Sequence, residues 1–217
     1  MSEILAEAVD AGRVYGDDGA RVEALKHATC KVQSGDRIAL IGPSGSGKST
    51  LLHLLAALDD PTSGTISWPA LGEKETLRPS KISFVFQSES LLAPLTVLEN
   101  IEVPCLLAGG GAEQARADAM EMLEALDLTA LADKLPEEIS GGQAQRVAVA
   151  RSLINHPRLI LADEPTGQLD HPTAAHLLDL LSRHIEGTGA ALVIATHDPL
   201  VAGTMKTQWQ MDHGVLR

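Results

Sequence analysis

The chain has 217 residues and a formal net charge of −12, from 17 basic against 29 acidic side chains, and its 44% hydrophobic and 21% charged composition is that of a globular protein. This length suits one large domain, or one domain carrying an inserted lobe. The acidic balance argues against a protein that coats nucleic acid, which needs clustered Lys and Arg, but leaves room for a nucleotide, which needs only one local anion site.

No membrane span is expected: the apolar stretch Leu51–Leu58 is interrupted by His53 and falls far short of the ~20 residues a crossing helix requires. Met1–Asp10 has no basic region followed by an apolar run, so no secretory signal is expected there. Cys30 and Cys105 lie too far apart in sequence to form a metal-ligand pair and are expected as buried, reduced thiols in a cytosolic protein.

In chain order, residues 3–15 and 23–32 read as strands, with a turn at Gly16-Asp17-Asp18-Gly19. Residues 37–41 are a mostly apolar run leading into a Gly-rich segment, and 48–58 then reads as a helix. Short strands are expected at 65–68 and 82–86. From about 88 to 156 the strand signals fade. There Ala115, Ala119, Met122 and Leu126 mark one face of a helix, and Gly109-Gly110-Gly111 marks a flexible turn before it. The α/β pattern returns with a buried-strand run at 159–162, a helix opened by Pro172 and reaching to about Glu186, and another apolar run at 191–195. The tail, 205–217, reads as a hairpin turning near Asp212-His213-Gly214.

Four of these strand-like runs end in a distinctive polar element. Run 37–41 ends in the Gly-rich loop, 82–86 in Gln87, 159–162 in Asp163 and Glu164, and 191–195 in Thr196 and His197. Ligands of open parallel sheets gather outside the carboxyl ends of the strands. If these runs are parallel neighbours, their polar ends converge on one site.

The loop Gly42-Pro43-Ser44-Gly45-Ser46-Gly47-Lys48-Ser49, with Thr50 following, fits G-x-x-x-x-G-K-[ST] in full between a strand and a helix. Its glycines let backbone N–H groups wrap phosphate oxygens, and the helix N-terminus adds partial positive charge. Lys48 would reach the β- and γ-phosphates and Ser49 would ligate Mg²⁺. An ordinary Gly/Ser turn needs neither residue at those places. Beside such a loop, Asp163 would hold the metal through water and Glu164 would polarise an attacking water. The alternative for that pair is a polar turn after a strand.

Ser140-Gly141-Gly142-Gln143 has the form of a helix capping box. A cap alone does not explain two glycines in a first turn, each unfavourable by up to roughly 1 kcal/mol relative to Ala inside a helix. Glycine there permits close backbone approach, and an exposed helix start is a second anion site.

Taken together, the loop at 42–49, Gln87, Ile139-Ser140-Gly141-Gly142-Gln143, Asp163-Glu164, Gly167-Gln168-Leu169-Asp170 and His197 resemble, in order and over essentially the whole chain, the motif set of the ATP-binding-cassette ATPases. The resemblance implies an α/β fold: a P-loop NTPase core with a mixed, mainly parallel sheet, an N-terminal antiparallel β subdomain and an inserted helical subdomain. It divides the chain into a first core part (1–87), a helical subdomain ending in the signature motif (88–156) and a second core part (157–217).

It further implies an ATP hydrolase using Mg²⁺ and working as a head-to-tail pair, each nucleotide held between the P-loop of one copy and the signature of the other. Ser140, Gly142 and Gln143 would then serve the partner copy's γ-phosphate, with Gly141 beside them. Asp170 would lie across the interface, or act as a helix N-cap; both roles stand. Gln87 would contact the metal and the water site and connect the core to the helical subdomain, and His197 would contact the γ-phosphate. Tyr15, the one aromatic before Trp68, would stack on adenine, a contact on the scale of about 1–3 kcal/mol. Its alternative is a turn residue ending a strand.

The signature opens with Ile139 where Leu is usual, Ala144 stands where a longer polar residue is common, and the Gly-Gln-Leu-Asp segment lacks the frequent Ser-Ala pair. None of these is a phosphate-contacting position. Leu51-Leu52-His53-Leu54-Leu55, Asp60–Gly64, Phe84–Gln87 and Leu95–Asn100 resemble the lipoprotein-releasing and macrolide-exporter branch. That branch implies a membrane permease on a separate chain, location at the cytoplasmic face of the cell membrane, no nucleic-acid partner, and extrusion as the output. Mechanical signalling to cell-wall enzymes stays open as an output. A P-loop kinase leaves the signature and His197 unexplained, and a non-transport cassette usually carries tandem cassettes, coiled coils or zinc modules.

Overall fold

The computed structural model describes residues 2–16, 19, 21–87 and 90–217. Asp17 and Asp18 of the expected first turn, and Ser88 at the start of the expected helical block, lie outside the described residues. The elements run β1 (Ile4–Tyr15), β2 (Val22–Gln33), β3 (Arg37–Ile41), α1 (Lys48–Leu55), β4 (Ser63–Ser67), β5 (Ile82–Val85), α2 (Val97–Leu107), α3 (Ala112–Ala125), α4 (Gly141–Leu153), β6 (Leu159–Asp163), α5 (His171–Thr188), β7 (Ala191–Thr196), α6 (Pro199–Gly203), β8 (Thr207–Asp212) and β9 (Val215–Leu216).

Two sheets result. One is antiparallel, in the order β2-β1-β4; the other has the order β5-β6-β7-β3-β8-β9. In the second, β5, β6, β7, β3 and β8 pair in parallel and only β9 turns back against β8. The fold is therefore α/β with a mixed, mainly parallel sheet and an N-terminal antiparallel sheet. The four runs with polar ends are the consecutive strands β5, β6, β7 and β3, so those ends share one edge of the sheet.

Period-2 alternation divides the central strands between two cores. Ala39, Ile160, Ala162, Leu192 and Ile194 face a core shared with α2, α3, α4 and α5. Ile38, Leu40, Leu159, Leu161, Val193 and Ala195 face a core shared with α1 and the antiparallel sheet. On α1, Leu51, Leu52, Leu54 and Leu55 are each 0% exposed, and burying such a side chain contributes about 1.5–3 kcal/mol. This packing fixes the helix that follows the Gly-rich loop.

Several boundaries differ from the sequence expectation for long-range reasons. Helix α1 stops at Leu55, short of Leu58, because Ala57 turns left-handed (φ 55). The Trp68 indole donates to the Leu55 carbonyl (2.8 Å) and Arg78 to that of Ala56. Strand β4 starts early, at Ser63, where Gly64 (φ +69) runs so close to β1 that a Cβ would sit 2.1 Å from the Asp10 carbonyl. Helix α5 continues past Glu186 to Thr188, ended by left-handed Gly189, whose N–H bonds the Ile185 carbonyl. On α3 the buried positions are Ala115, Ala119 and Leu123; Met122 is only partly covered. Both cysteines are free thiols, and burial pushes Cys30 up to about 12.

Candidate active site

A cavity of about 660 Å³ opens at the carboxyl ends of these strands. Its floor is Ser44, Gly45, Gly47, Lys48, Ser49 and Thr50; Gln87, Asp163, Glu164 and His197 form one wall and Val22, Glu23 and Ala24 of β2 the other. Of the expected loop residues, Gly42, Pro43 and Ser46 are not part of the lining. Ser46 is turned inward, 3% exposed, and Gly42 borders a smaller cavity shared with His197 and Asp198.

The loop holds its own cation. Lys48 is buried, and its Nζ donates to the carbonyls of Gly42 (2.8 Å) and Pro43 (3.0 Å). Gly47 precedes α1 in a left-handed conformation (φ 104) and the helix has no side-chain cap. Its first N–H groups are thus left for an anion.

Asp163 closes β6 and is 6% exposed. Asp163, Ser49 and Gln87, each carrying a side-chain oxygen, line the same cavity. An oxygen-only set with room for phosphate oxygens and water fits Mg²⁺ rather than a softer metal. When bound, the metal would supply charge neutralisation to the phosphates.

Glu164 is buried and sits at φ 48, a left-handed conformation unusual for a residue with a Cβ. Its N–H donates to the Ala195 carbonyl (2.9 Å) and its carbonyl accepts from Gly167 N–H (3.1 Å). These bonds hold the turn that aims the carboxylate at the cavity. His197 Nδ1–H donates to Glu164 Oε1 at 2.8 Å. This hydrogen bond, and then the carboxylate charge, raises the His197 pKa above its ordinary 6.5. A buried carboxylate oriented by an imidazole can align a water and take its proton.

Ser140, Gly141, Gly142 and Gln143 do not line this cavity. They open α4 as a reciprocal cap, Gln143 N–H to Ser140 Oγ (3.3 Å) and Ser140 N–H to Gln143 Oε1 (2.8 Å). A Cβ at Gly142 would lie 3.2 Å from Leu169 Cδ2 and 3.3 Å from the Gln168 carbonyl. The helix tip is seated on the 167–170 segment of its own chain. Asp170 caps α5 through Thr173 N–H (2.9 Å), and the Thr173 hydrogen bonds hold its carboxyl below the usual range.

Tyr15 is not brought into the lining. It pairs across the sheet with Val22, which is. Its hydroxyl donates to Asp59 (2.8 Å), and Arg13 lies 4.7 Å from its ring centroid while bridging to Asp59. Partial burial opposes ionisation of Asp59, yet the Tyr15 hydroxyl and Arg13 hold its carboxyl below the usual range. Sequence reading missed Val22, Glu23 and Ala24. The available signal was an apolar residue, 61% exposed in the structure, following a Gly/Asp turn at a strand start.

A lysine committed to a glycine loop at the head of a parallel strand, with carboxylates at the end of the next strand but one in the same sheet, is the equipment of a P-loop nucleotide hydrolase, and that is the class this sheet order defines. Within that class, the chain belongs to the ABC transporter family, whose model matches residues 25–167. It is 44% identical over 223 residues to the lipoprotein-releasing system ATP-binding protein LolD of Legionella pneumophila (strain Paris), covering 100% of this chain and 98% of that one. It is 43% identical to LolD of Bordetella pertussis (strain Tohama I), with 95% and 92% covered. Among solved structures, the dimeric, post-hydrolysis form of the ATP-binding cassette MJ0796 bound to ADP and Pi matches with a TM-score of 0.90 at 34% identity, covering 98% of each chain. A second dimeric structure of MJ0796, a bacterial ABC transporter cassette, matches at 0.90 and 36% identity. The chain is the ATP-hydrolysing subunit of an ABC transporter. Among the described residues no helix is long and apolar enough to cross a membrane.

Proposed function

We propose that the chain drives a lipoprotein-releasing membrane permease carried on a separate polypeptide, bound peripherally at the inner face of the membrane, and that it hydrolyses Mg-ATP between two copies arranged head to tail. The carrying observation is that the signature tip stands outside the cavity lined by the glycine loop, Gln87, Asp163, Glu164 and His197. A second copy, turned end for end, supplies that tip to the first copy's γ-phosphate. The likeness to LolD proteins over the full chain supports lipoprotein release over the other outputs.

In this mechanism Ser44–Thr50 and Lys48 bind the phosphates. Asp163, Ser49 and Gln87 would hold Mg²⁺. Glu164 positions the attacking water, His197 orients Glu164 and reaches toward the γ-phosphate, and Asp170 lines the shared interface. Adenine rests against the β2 edge, with Val22 and its cross-strand neighbour Tyr15. Residues 1–87 and 157–217 act as the core, and 88–156 as the helical part that carries the signature.

The test is reconstitution. The chain, co-expressed with its permease in vesicles, should release phosphate from Mg-ATP and detach a lipidated protein from the membrane. Phosphate transfer to an added small acceptor in place of free phosphate would make it a kinase. ATP turnover without lipoprotein detachment would move the output elsewhere.

A further inference from the structure

The phosphate loop is supported from beneath by the end of the chain. Strand β8 runs parallel to β3, with Ile41 opposite Gln210. Its next residue, Met211, passes so close to Gly42 that a Cβ there would sit 2.1 Å from the Met211 carbonyl. The hairpin then reverses through His213 (φ 46) and Gly214 (φ 79), a two-residue turn with both central residues left-handed. Gly214 is buried, outside the cavity lining, and bonded on both sides. Its N–H donates to the Ser46 carbonyl (2.9 Å) and its carbonyl accepts from Lys26 N–H of β2 (2.8 Å). On the β2 side the space is closed, because a Cβ on Gly47 would lie 2.4 Å from the Ala24 carbonyl and one on Gly214 would lie 3.2 Å from the same oxygen.

We propose that Gly214 is a positioning residue for phosphate binding. Its N–H fixes the Ser46–Gly47 peptide plane, and so presents the Gly47 N–H to the nucleotide. The carbonyl and N–H of one planar trans peptide point in opposite directions. A Ser46 carbonyl held down on the hairpin therefore turns the Gly47 N–H up, toward the cavity that Gly47 lines. Without that acceptor pinned, the plane can rotate and a phosphate must pay for reordering it. Three requirements meet at position 214: left-handed backbone, no Cβ beside Ala24, and a free N–H. Glycine meets all three.

The proposal rests on residues 42–49 being the phosphate loop, and the experiment separates the two. Affinity for Mg-ATP and Mg-ADP is measured by calorimetry on the full chain for wild type, Gly214→Ala, His213→Ala and Lys48→Ala, well below each melting temperature. Steady-state kinetics follow on each. Gly214→Ala should weaken both nucleotides about three- to tenfold, the scale of one hydrogen bond. KM should rise and kcat at saturating ATP should stay near wild type. His213→Ala, in the same turn with no bond to the loop, should bind like wild type. Should Gly214→Ala not fold, Gly214→Asn, whose side chain tolerates left-handed backbone, carries the same expectation. Wild-type affinity in a folded Gly214 variant, with Lys48→Ala weakened, overturns the positioning role alone. Wild-type affinity in Lys48→Ala overturns the phosphate-loop reading. Equal loss in His213→Ala and Gly214→Ala would assign the effect to general hairpin stability and also overturn the proposal.

Discussion

The two phosphate-binding devices proposed for this chain are built in opposite ways. The loop at 42–49 is finished within the chain: its lysine is satisfied by its own carbonyls and it is supported by β2 and the C-terminal hairpin. The tip of α4 is anchored on one side only. Its serine and glutamine cap each other, Gly142 rests on Leu169, and the tip stands clear of the cavity. If the tip serves a second copy, the difference makes binding and turnover separable. Damage to the first device should be felt by a lone copy, and damage to the second only when two copies meet.

The largest effect that separates binding from turnover should come from Glu164→Gln. It keeps the side chain's size and removes the carboxylate that accepts from His197. Turnover should fall at least ~10²-fold, the scale of losing a general base, while Mg-ATP still binds and a stable closed pair accumulates on gel filtration. Unimpaired phosphate release would remove Glu164 from the chemistry. Lys48→Ala attacks the finished device. It should weaken ATP binding by about ten- to a hundredfold, from loss of charge-assisted hydrogen bonds, in dilute protein as well as concentrated. Wild-type affinity by calorimetry would break the comparison at its first member.

Gly142→Ala attacks the unfinished device. The added methyl meets Leu169 Cδ2 at 3.2 Å and the Gln168 carbonyl at 3.3 Å, so the tip must shift by a few tenths of an ångström. Single-copy ATP affinity should be unchanged, while turnover per copy falls about tenfold, in line with a misplaced transition-state donor worth a few kcal/mol at most. A loss of ATP affinity in dilute protein would show that the tip serves its own chain's nucleotide, which would invert the head-to-tail arrangement.

The same contrast governs what the sequence made legible. The finished device is a contiguous motif with polar residues at the ends of apolar runs, and the parallel order β5-β6-β7-β3 brings these together as expected. Contacts between distant segments were not legible, because no local spacing encodes them. Asp59 engages the Tyr15 hydroxyl, Trp68 and Arg78 close the end of α1, and Gly214 reaches under Ser46. The second glycine of the signature was read as room for a phosphate. The structure also gives it a packing reason, Leu169 of the same chain. On α3 the pattern was right in period and off by one residue, because Leu123 and Met122 are equally apolar and only tertiary packing chooses between them.

The smallest expected effect concerns the link between His197 and Glu164, which lines the same cavity as the loop but is open to water on the His197 side. The His197 side chain is 75% exposed and that of Glu164 only 9%. The hydrogen bond to Glu164 raises the folded-state His197 pKa above 6.5. A pKa raised on folding means the native state binds the proton more tightly than the unfolded chain does. The pair's contribution to stability is therefore fully present below about pH 6.5 and fades as pH rises through the higher folded value. His197→Ala should lower the melting temperature slightly in mildly acidic buffer, and by less still above neutrality, since exposed ion pairs contribute little. NMR titration of the imidazole checks the cause directly: the midpoint should move down in Glu164→Gln, where no carboxylate charge remains. An unchanged midpoint would mean that the contact does not persist in solution, and Glu164 would then need another group to orient it.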